Sequence, residues 1–387
     1  MGLTKIGNKS IIKKMFGNKE ILKEVCDGVT VYQKVTVKPY LRFYCSSSFN
    51  MAMSDWAKGW DGTLEYSKDT ETWSTWTGER IYGNVTGEEN KYNLYLRGTG
   101  NTYISKNADS SRGIGYLTMS TSGSDVYCEG NIETLLDYAT VVNGQHPTMD
   151  VRCFKTFFYN CSVLKSAPDL GAEILTESCY YGTFWATGII ETPFLPASIV
   201  PRYAYGVMFA GCPNLTTFKG MAATSIGERS CYQMFQQDTA LVNVPNTLPA
   251  LTIGDYGYSH MFLGCTALTK CMAIAATSMA TYACEYMYRG CTALNNVTVL
   301  LPTGALSSCQ YCCMYYGCSN IKVNTSRGGI YQNPFRIPRS GTCSDPNSNA
   351  VAAMFMNTGG AFTSTPNLNY TYYLSNQVVV PDSYISL

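Results

Sequence analysis

The sequence predicts a mainly β protein with short helices: an N-terminal β-meander, then a β-sandwich-like module, then a C-terminal repeat solenoid. Three observations predict it. Residues 1–36 echo a short unit of turn residues followed by β-branched stretches. Residues 37–150 carry alternating apolar segments that break at glycines. From Cys153 onward an aromatic residue recurs every 25–27 positions.

The first element rests on the echo. Ile6-Gly7-Asn8-Lys9-Ser10-Ile11 returns as Phe16-Gly17-Asn18-Lys19-Glu20-Ile21, and a degenerate copy runs from Cys26 to Tyr32. Asp27-Gly28 is a strong hairpin signal, because both central residues of a primed turn take positive φ. So small a meander holds no core alone and is expected to pair with another chain. The segment has seven Lys against Glu20, Glu24 and Asp27, a surplus of four. Lys9, Lys13, Lys14, Lys19 and Lys23 either dock the chain onto an acidic partner or guard a β edge from unwanted pairing.

In the second element, Leu64-Glu65-Tyr66-Ser67, Asn93 to Gly98 and Tyr116 to Ser120 alternate as half-buried strands do. Four of the five Trp (Trp56, Trp60, Trp73, Trp76) fall here. A short helix, Ile132 to Tyr138, capped by Asn131, is expected to close the module.

The third element, residues 151–325, repeats a ladder of an aromatic, usually Gly-Cys, and an aliphatic. The aromatics are Phe158, Phe184, Phe209, Phe235, Phe262, Tyr288 and Tyr315. The position three residues on holds Cys161, Cys212, Cys265, Cys291 and Cys318, with Thr187 and Asp238 interrupting; the aliphatic position reads Leu164, Ile190, Leu215, Leu241, Leu268, Leu294 and Ile321. Each copy reads as a short helical turn, a short strand and a return leg. No single copy buries its apolar face, so stacking must set like residues on like. Residues 326–387, with Met354-Phe355-Met356, read as a C-terminal cap. Of the 17 Cys, 13 lie between Cys153 and Cys318. Cys at one phase of a repeat packs as a small apolar group, so most are expected to be reduced.

Charged residues are only 14% of the 387, against about 25% for an ordinary soluble domain. With 30 Tyr and 34 Gly, this favours an extracellular repeat architecture that binds through rigid rings. A net charge of +1 gives no general attraction to nucleic acid. No apolar run approaches the ~18 residues of a membrane span, and Met1 to Ile6 does not open a secretory signal.

The repeats resemble the BspA-type leucine-rich repeat, whose unit reads roughly Cys-Tyr-x-x-Met-Phe-x-Gly-Cys-Thr-x-Leu. Tyr258 to Leu268 and Tyr286 to Leu294 carry the likeness best, and the loss of Cys at Thr187 and Asp238 departs from it. Residues 1–36 look like the β modules that begin many phage virion proteins. Leu64 to Gly78, Glu129 to Ile132 and Thr358 to Pro366 resemble segments of gut-phage and Bacteroidales repeat proteins. The resemblance implies a virion protein, assembled in the host cytoplasm, of a crAss-like phage infecting Bacteroidales.

Little in the sequence points to catalysis. There are two His, His146 and His260; His260 is read as packing or surface, His146 as a loop residue. Cys309-Gln310-Tyr311-Cys312 lacks the second Cys pair of a structural zinc site. Neither Gly98-Thr99-Gly100 nor Gly113-Ile114-Gly115 completes a dinucleotide fingerprint. The nearest carboxylate pairs are Glu88 with Glu89 and Asp55 with Asp61. No catalytic residue, cofactor or metal is expected. The candidate ligand-facing residues are aromatics near the turn of each copy: Tyr181, Trp185, Tyr205, Tyr232, Tyr258 and Tyr286. The expectation is a non-enzymatic phage fibre, homotrimeric by analogy, held to other virion proteins through residues 1–36 and recognising a host glycan or protein. A bacterial surface adhesin and a polysaccharide-degrading spike are the alternatives.

Overall fold

The computed structural model describes residues 3–6, 9–16, 19–26, 29–54, 59–85, 90–105, 115–295 and 307–321, with Met354 and Asn357; for residues 3–37 it describes the backbone alone. The chain is mainly β, with one short helix among the described residues. The side chains of Lys9, Lys13, Lys14, Lys19 and Lys23, the pair Glu88 and Glu89, Asp55, Trp56 and almost all of the expected cap at 326–387 lie outside the described part.

Strands β1 (Leu3–Ile6), β2 (Lys9–Phe16), β3 (Lys19–Cys26) and β4 (Val29–Val37) pair in sequence order as an antiparallel meander. The next nine strands are β5 (Leu41–Cys45), β6 (Phe49–Met53), β7 (Thr63–Ser67), β8 (Ser74–Thr75), β9 (Ile81–Tyr82), β10 (Asn84–Val85), β11 (Tyr92–Thr99), β12 (Leu117–Thr121) and β13 (Val126–Glu129). One sheet has the order β13-β5-β11-β7-β8, with β10 also on β11; the other has β12-β6-β9. In β6, Phe49, Met51 and Met53 are buried while Asn50 and Ala52 are partly exposed, the two-residue period of a strand covered on one face.

Helix α1 (Thr134–Val142) packs on β11. A Cβ at Gly98 would lie 1.7 Å from the Leu135 carbonyl oxygen, so only a bare backbone lets α1 sit there. The sequence placed this helix at Ile132 to Tyr138 with Asn131 as its cap. Instead Asn131 closes the turn before the helix, accepting the Glu133 N–H at 2.9 Å. Asp137 is non-helical (φ −151°, ψ 100°) and its carboxylate accepts the Thr140 N–H at 2.9 Å. A cap inside the segment therefore restarts it and carries it on to Val142.

From Arg152 the chain makes successive passes, here termed rungs, numbered from the ladder aromatic as position 0. Within a rung, alternate amides close local turns: Phe157 N–H donates to the Phe154 carbonyl, Tyr159 to Thr156, Cys161 to Phe158. The amides between them reach the next rung: Phe154 donates to Cys179, Thr156 to Tyr181, Phe158 to Thr183, Asn160 to Trp185. The same scheme recurs up to Tyr315, which donates to Met354. Short parallel strands on the return legs continue it. β14 (Ile199–Val200), β15 (Ser225–Ile226), β17 (Thr252–Ile253) and β19 (Ser278–Met279) form one sheet; β16 (Thr247–Leu248) pairs with β18 (Ala273–Ile274).

The expected helical turn is not a helix. Residues at positions −6, −2 and +2 of every rung have positive φ, for example Arg152, Thr156 and Asn160, then Tyr203, Val207 and Gly211. A left-handed residue at every fourth position stops an α-helix from propagating and leaves a ribbon of consecutive turns. Gly at +2 (Gly211, Gly264, Gly290, Gly317) meets this demand at no steric cost. In the second rung, one residue is missing after Thr187, so the buried aliphatic is Ile189; Ile190, expected from the ladder spacing, is 43% exposed.

The ladder rings stand in one row. Centroids from Phe158 through Phe184, Phe209, Phe235, Phe262 and Tyr288 to Tyr315 are 5.3–5.8 Å apart with interplanar angles of 5–12°. Beside them, the Cys212 thiol donates to the Phe184 carbonyl one rung back at 3.0 Å; Cys265, Cys291 and Cys318 do the same to Phe235, Phe262 and Tyr288. Cys suits this position because it is small enough for the core and still carries a donor. Cys161, in the first rung, donates to Leu117 on β12 instead. The core is continuous from Leu41 to Met354, so the rungs and the two sheets share one interior.

Candidate functional site

The turn ribbon turns side chains inward in pairs. Cys153-Phe154, Phe157-Phe158 and Cys161 are buried; Lys155, Tyr159 and Asn160 between them reach the surface, while Thr156 is buried as well. This phase decides which aromatics can meet a ligand. Tyr205 and Tyr258 sit at position −4, in a second interior row with Phe154, Tyr180 and Tyr311, and are 1% and 0% exposed. Their assignment as ligand-facing is corrected: they do lie near the turn, but the four-residue period of the ribbon points them into the core.

Tyr181, Trp185, Tyr232 and Tyr286 occupy the outward half and are partly exposed. Trp185 lies 4.9 Å from Tyr159, and Tyr181 6.0 Å from Tyr203. Tyr232, His260 and Tyr286 line up at 5.6 and 4.8 Å, with the Arg289 guanidinium 5.0 Å above Tyr286. Partial burial, then the Arg289 charge, hold the His260 imidazole down to about 4, so it packs neutral between two phenols. A hydrogen bond with Cys313 and burial push the Tyr286 phenol up to about 12.

A further row stands at position −6. The Arg202 guanidinium covers Tyr203 at 4.8 Å, Arg229 covers Tyr256 at 4.5 Å, and Tyr256 stacks on Tyr282 at 4.6 Å and 7°. Tyr203, Arg229, Tyr256 and Tyr282 all take positive φ, with values of 50–58°. Side chains of this bulk rarely accept that conformation. Amide bonds from each of them to the next rung hold it, as from Tyr256 to Thr281 and Tyr282 to Ser308.

The residues weighed for chemistry are scattered. Burial raises the Asp61 carboxyl, but two bonds from Thr102, at 2.8 and 2.6 Å, and others outweigh it and hold the group below its ordinary value. Asp61 thus ties a loop. The fifteen described cysteines are free thiols, Cys309, Cys312 and Cys313 among them. Among the described residues no three His, Cys, Asp or Glu side chains converge as metal ligands, and no helix is long and apolar enough to cross a membrane.

His146 does not stand free in its loop. Its Nδ1 lies 3.0 Å from both carboxylate oxygens of Glu133, whose side chain is fully buried. Burial raises the Glu133 carboxyl, and the His146 bond only partly offsets this. The pair adjoins a cleft of about 500 Å³ between α1 and the first two return legs. Sequence reading missed this cleft because its residues come from four distant segments. No family model, no curated protein and no solved structure matches the chain.

Proposed function

We propose that the rungs are a leucine-rich-repeat solenoid of the BspA kind, and that the chain is a non-enzymatic adhesion protein of a phage particle. Residues 1–36 attach it to other virion proteins, and the outward aromatic rows meet a glycan or protein of the host surface. The repeat period, the inter-rung amide bonds and the ring stack support the solenoid reading. The resemblance of the repeats and of residues 1–36 supports the virion assignment and a crAss-like phage of Bacteroidales; a homotrimer follows by analogy with fibres.

The observation that carries adhesion is the row Tyr203, Arg229, Tyr256 and Tyr282. Four bulky side chains are held in a disfavoured backbone conformation where they stay partly exposed. Guanidinium groups lie over two of the rings, and Tyr256 stacks on Tyr282, so flat apolar faces and cations stand together along successive rungs. Tyr rings offer flat apolar faces and a hydroxyl at low entropic cost.

The test uses fluorescently labelled full-length chain on intact Bacteroidales cells. The double variant Tyr256→Ala, Tyr282→Ala is expected to bind at least tenfold more weakly with unchanged thermal unfolding. Equal binding refutes recognition through this face, and release of soluble polysaccharide by the purified protein refutes the non-enzymatic reading. Mass spectrometry of purified virions checks the particle assignment, and its absence from them rejects it.

A further inference from the structure

We propose that the cleft between α1 and the first two return legs binds a neutral sugar unit, at a site separate from the aromatic rows and not dependent on them. The cleft volume, about 500 Å³, falls within the ~300–1,000 Å³ usual for small-molecule sites. Its lining is two-sided in character. Val141, Leu170, Phe194 and Pro196 supply apolar surface, and the Phe194 ring is 51% exposed beside it. Asn131, Gln145 and His146 supply amide and imidazole groups, and Asp169 and Glu173 supply carboxylates. A pyranose has the matching composition: a C–H face that lies on an aromatic ring, and hydroxyls that both donate and accept.

The polar floor is built before any ligand arrives. Glu133 fixes the His146 ring through Nδ1, so Nε2 is the ring atom left for a ligand. The Asn131 amide donates to Glu133 Oε2 at 3.3 Å. Gly171 completes the floor: a Cβ there would lie 2.4 Å from Asn131 Nδ2 and 2.5 Å from Glu133 Oε2. Any other residue at 171 would push the Asn131–Glu133–His146 group apart. A neutral ligand with hydroxyls that accept as well as donate can pair with the Gln145 amide N–H groups at the rim, which an organic cation cannot.

Saturation-transfer NMR on the full chain with the methyl pyranosides of glucose, galactose, mannose and N-acetylglucosamine tests the site. At least one is expected to receive saturation, strongest on the protons of one ring face. Phe194→Ala should weaken it at least tenfold and Glu173→Gln several-fold, both at exposed positions where folding is preserved. Tyr256→Ala should leave it unchanged. Absence of transfer from all four sugars, indifference to Phe194→Ala and Glu173→Gln, or preferential binding of tetramethylammonium would each overturn the proposal. Because Tyr256→Ala is silent here, failure of cell adhesion and failure of sugar binding are read separately.

Discussion

Asp238 stands in the cysteine row with no sulfur to offer. It is fully buried; Oδ1 accepts the Cys212 N–H at 2.7 Å, while Oδ2 has no partner among the described residues. Burial drives its carboxyl well above the ordinary range, against the Cys212 and Gly211 amides that lower it. Burial thus favours the protonated carboxyl in the folded chain, whereas the unfolded chain releases its proton above about pH 3.9. Above that pH the unfolded state binds fewer protons, so stability falls as pH rises, by about 1.4 kcal/mol per unit until the folded group also ionises. Asp238→Cys restores the thiol that Cys212, Cys265 and Cys291 use, and frees the Cys212 amide to bond the Phe209 carbonyl as its counterparts do. Urea midpoints of wild type and variant, compared at pH 5, 6 and 7, measure the difference. The variant should be the more stable at pH 7, by about 1–3 kcal/mol from the unpartnered oxygen alone, and its advantage should shrink towards pH 5. A gap that does not change with pH, or a less stable variant at pH 7, refutes the reasoning.

Gly290 has φ +73°, and a would-be Cβ meets only ordinary contact, with Gly264 Cα at 3.9 Å, so Gly290→Ala should cost about 1–2 kcal/mol through backbone strain alone; thermal unfolding measures it, and no change would mean the left-handed position is not occupied. Phe262→Ala should lower stability by about 3–5 kcal/mol, because the ring is fully buried between Phe235 and Tyr288. The folded state holds His260 below its unfolded value, so this residue favours folding above about pH 6.5 and loses that contribution as pH falls towards 4. His260→Gln should remove that part of the acid transition in a pH titration of the unfolding midpoint.

The 26-residue period was legible because stacking demands the same residue type at the same place: Phe158, Phe184, Phe209, Phe235 and Phe262 repeat for one reason, that each ring packs on the next. Strands stand where alternation put them around Leu64, Leu94 and Leu117, but Asn93 to Leu96 are all buried, so that strand is covered on both faces rather than half-buried. The turn ribbon was not legible. Positive φ is ordinarily signalled by Gly, Asn or Asp, yet Thr156, Val207, Arg229 and Tyr256 adopt it, because bonds to the next rung dictate the conformation rather than local preference. The signal available was the pairing of apolar residues at intervals of four, as in Cys153-Phe154 and Phe157-Phe158. Taking the aromatics near each turn together as ligand-facing passed over that pairing and placed Tyr205 and Tyr258 outward. The cleft escaped notice because Glu133, His146, Gly171 and Phe194 meet only after the return legs close against α1.

The separation of inward from outward pairs has an evolutionary consequence. Where positions −3, −2 and +1 reach the surface, their identity varies from pass to pass while the rings and thiols that join the passes stay the same. Tyr232-Gln233 and Glu285-Tyr286 are partly exposed and differ over an unchanged interior, whereas Ser259 at the equivalent place is buried. The outward face can thus be rewritten one pass at a time while the bonds that join each pass to the next stay as they are.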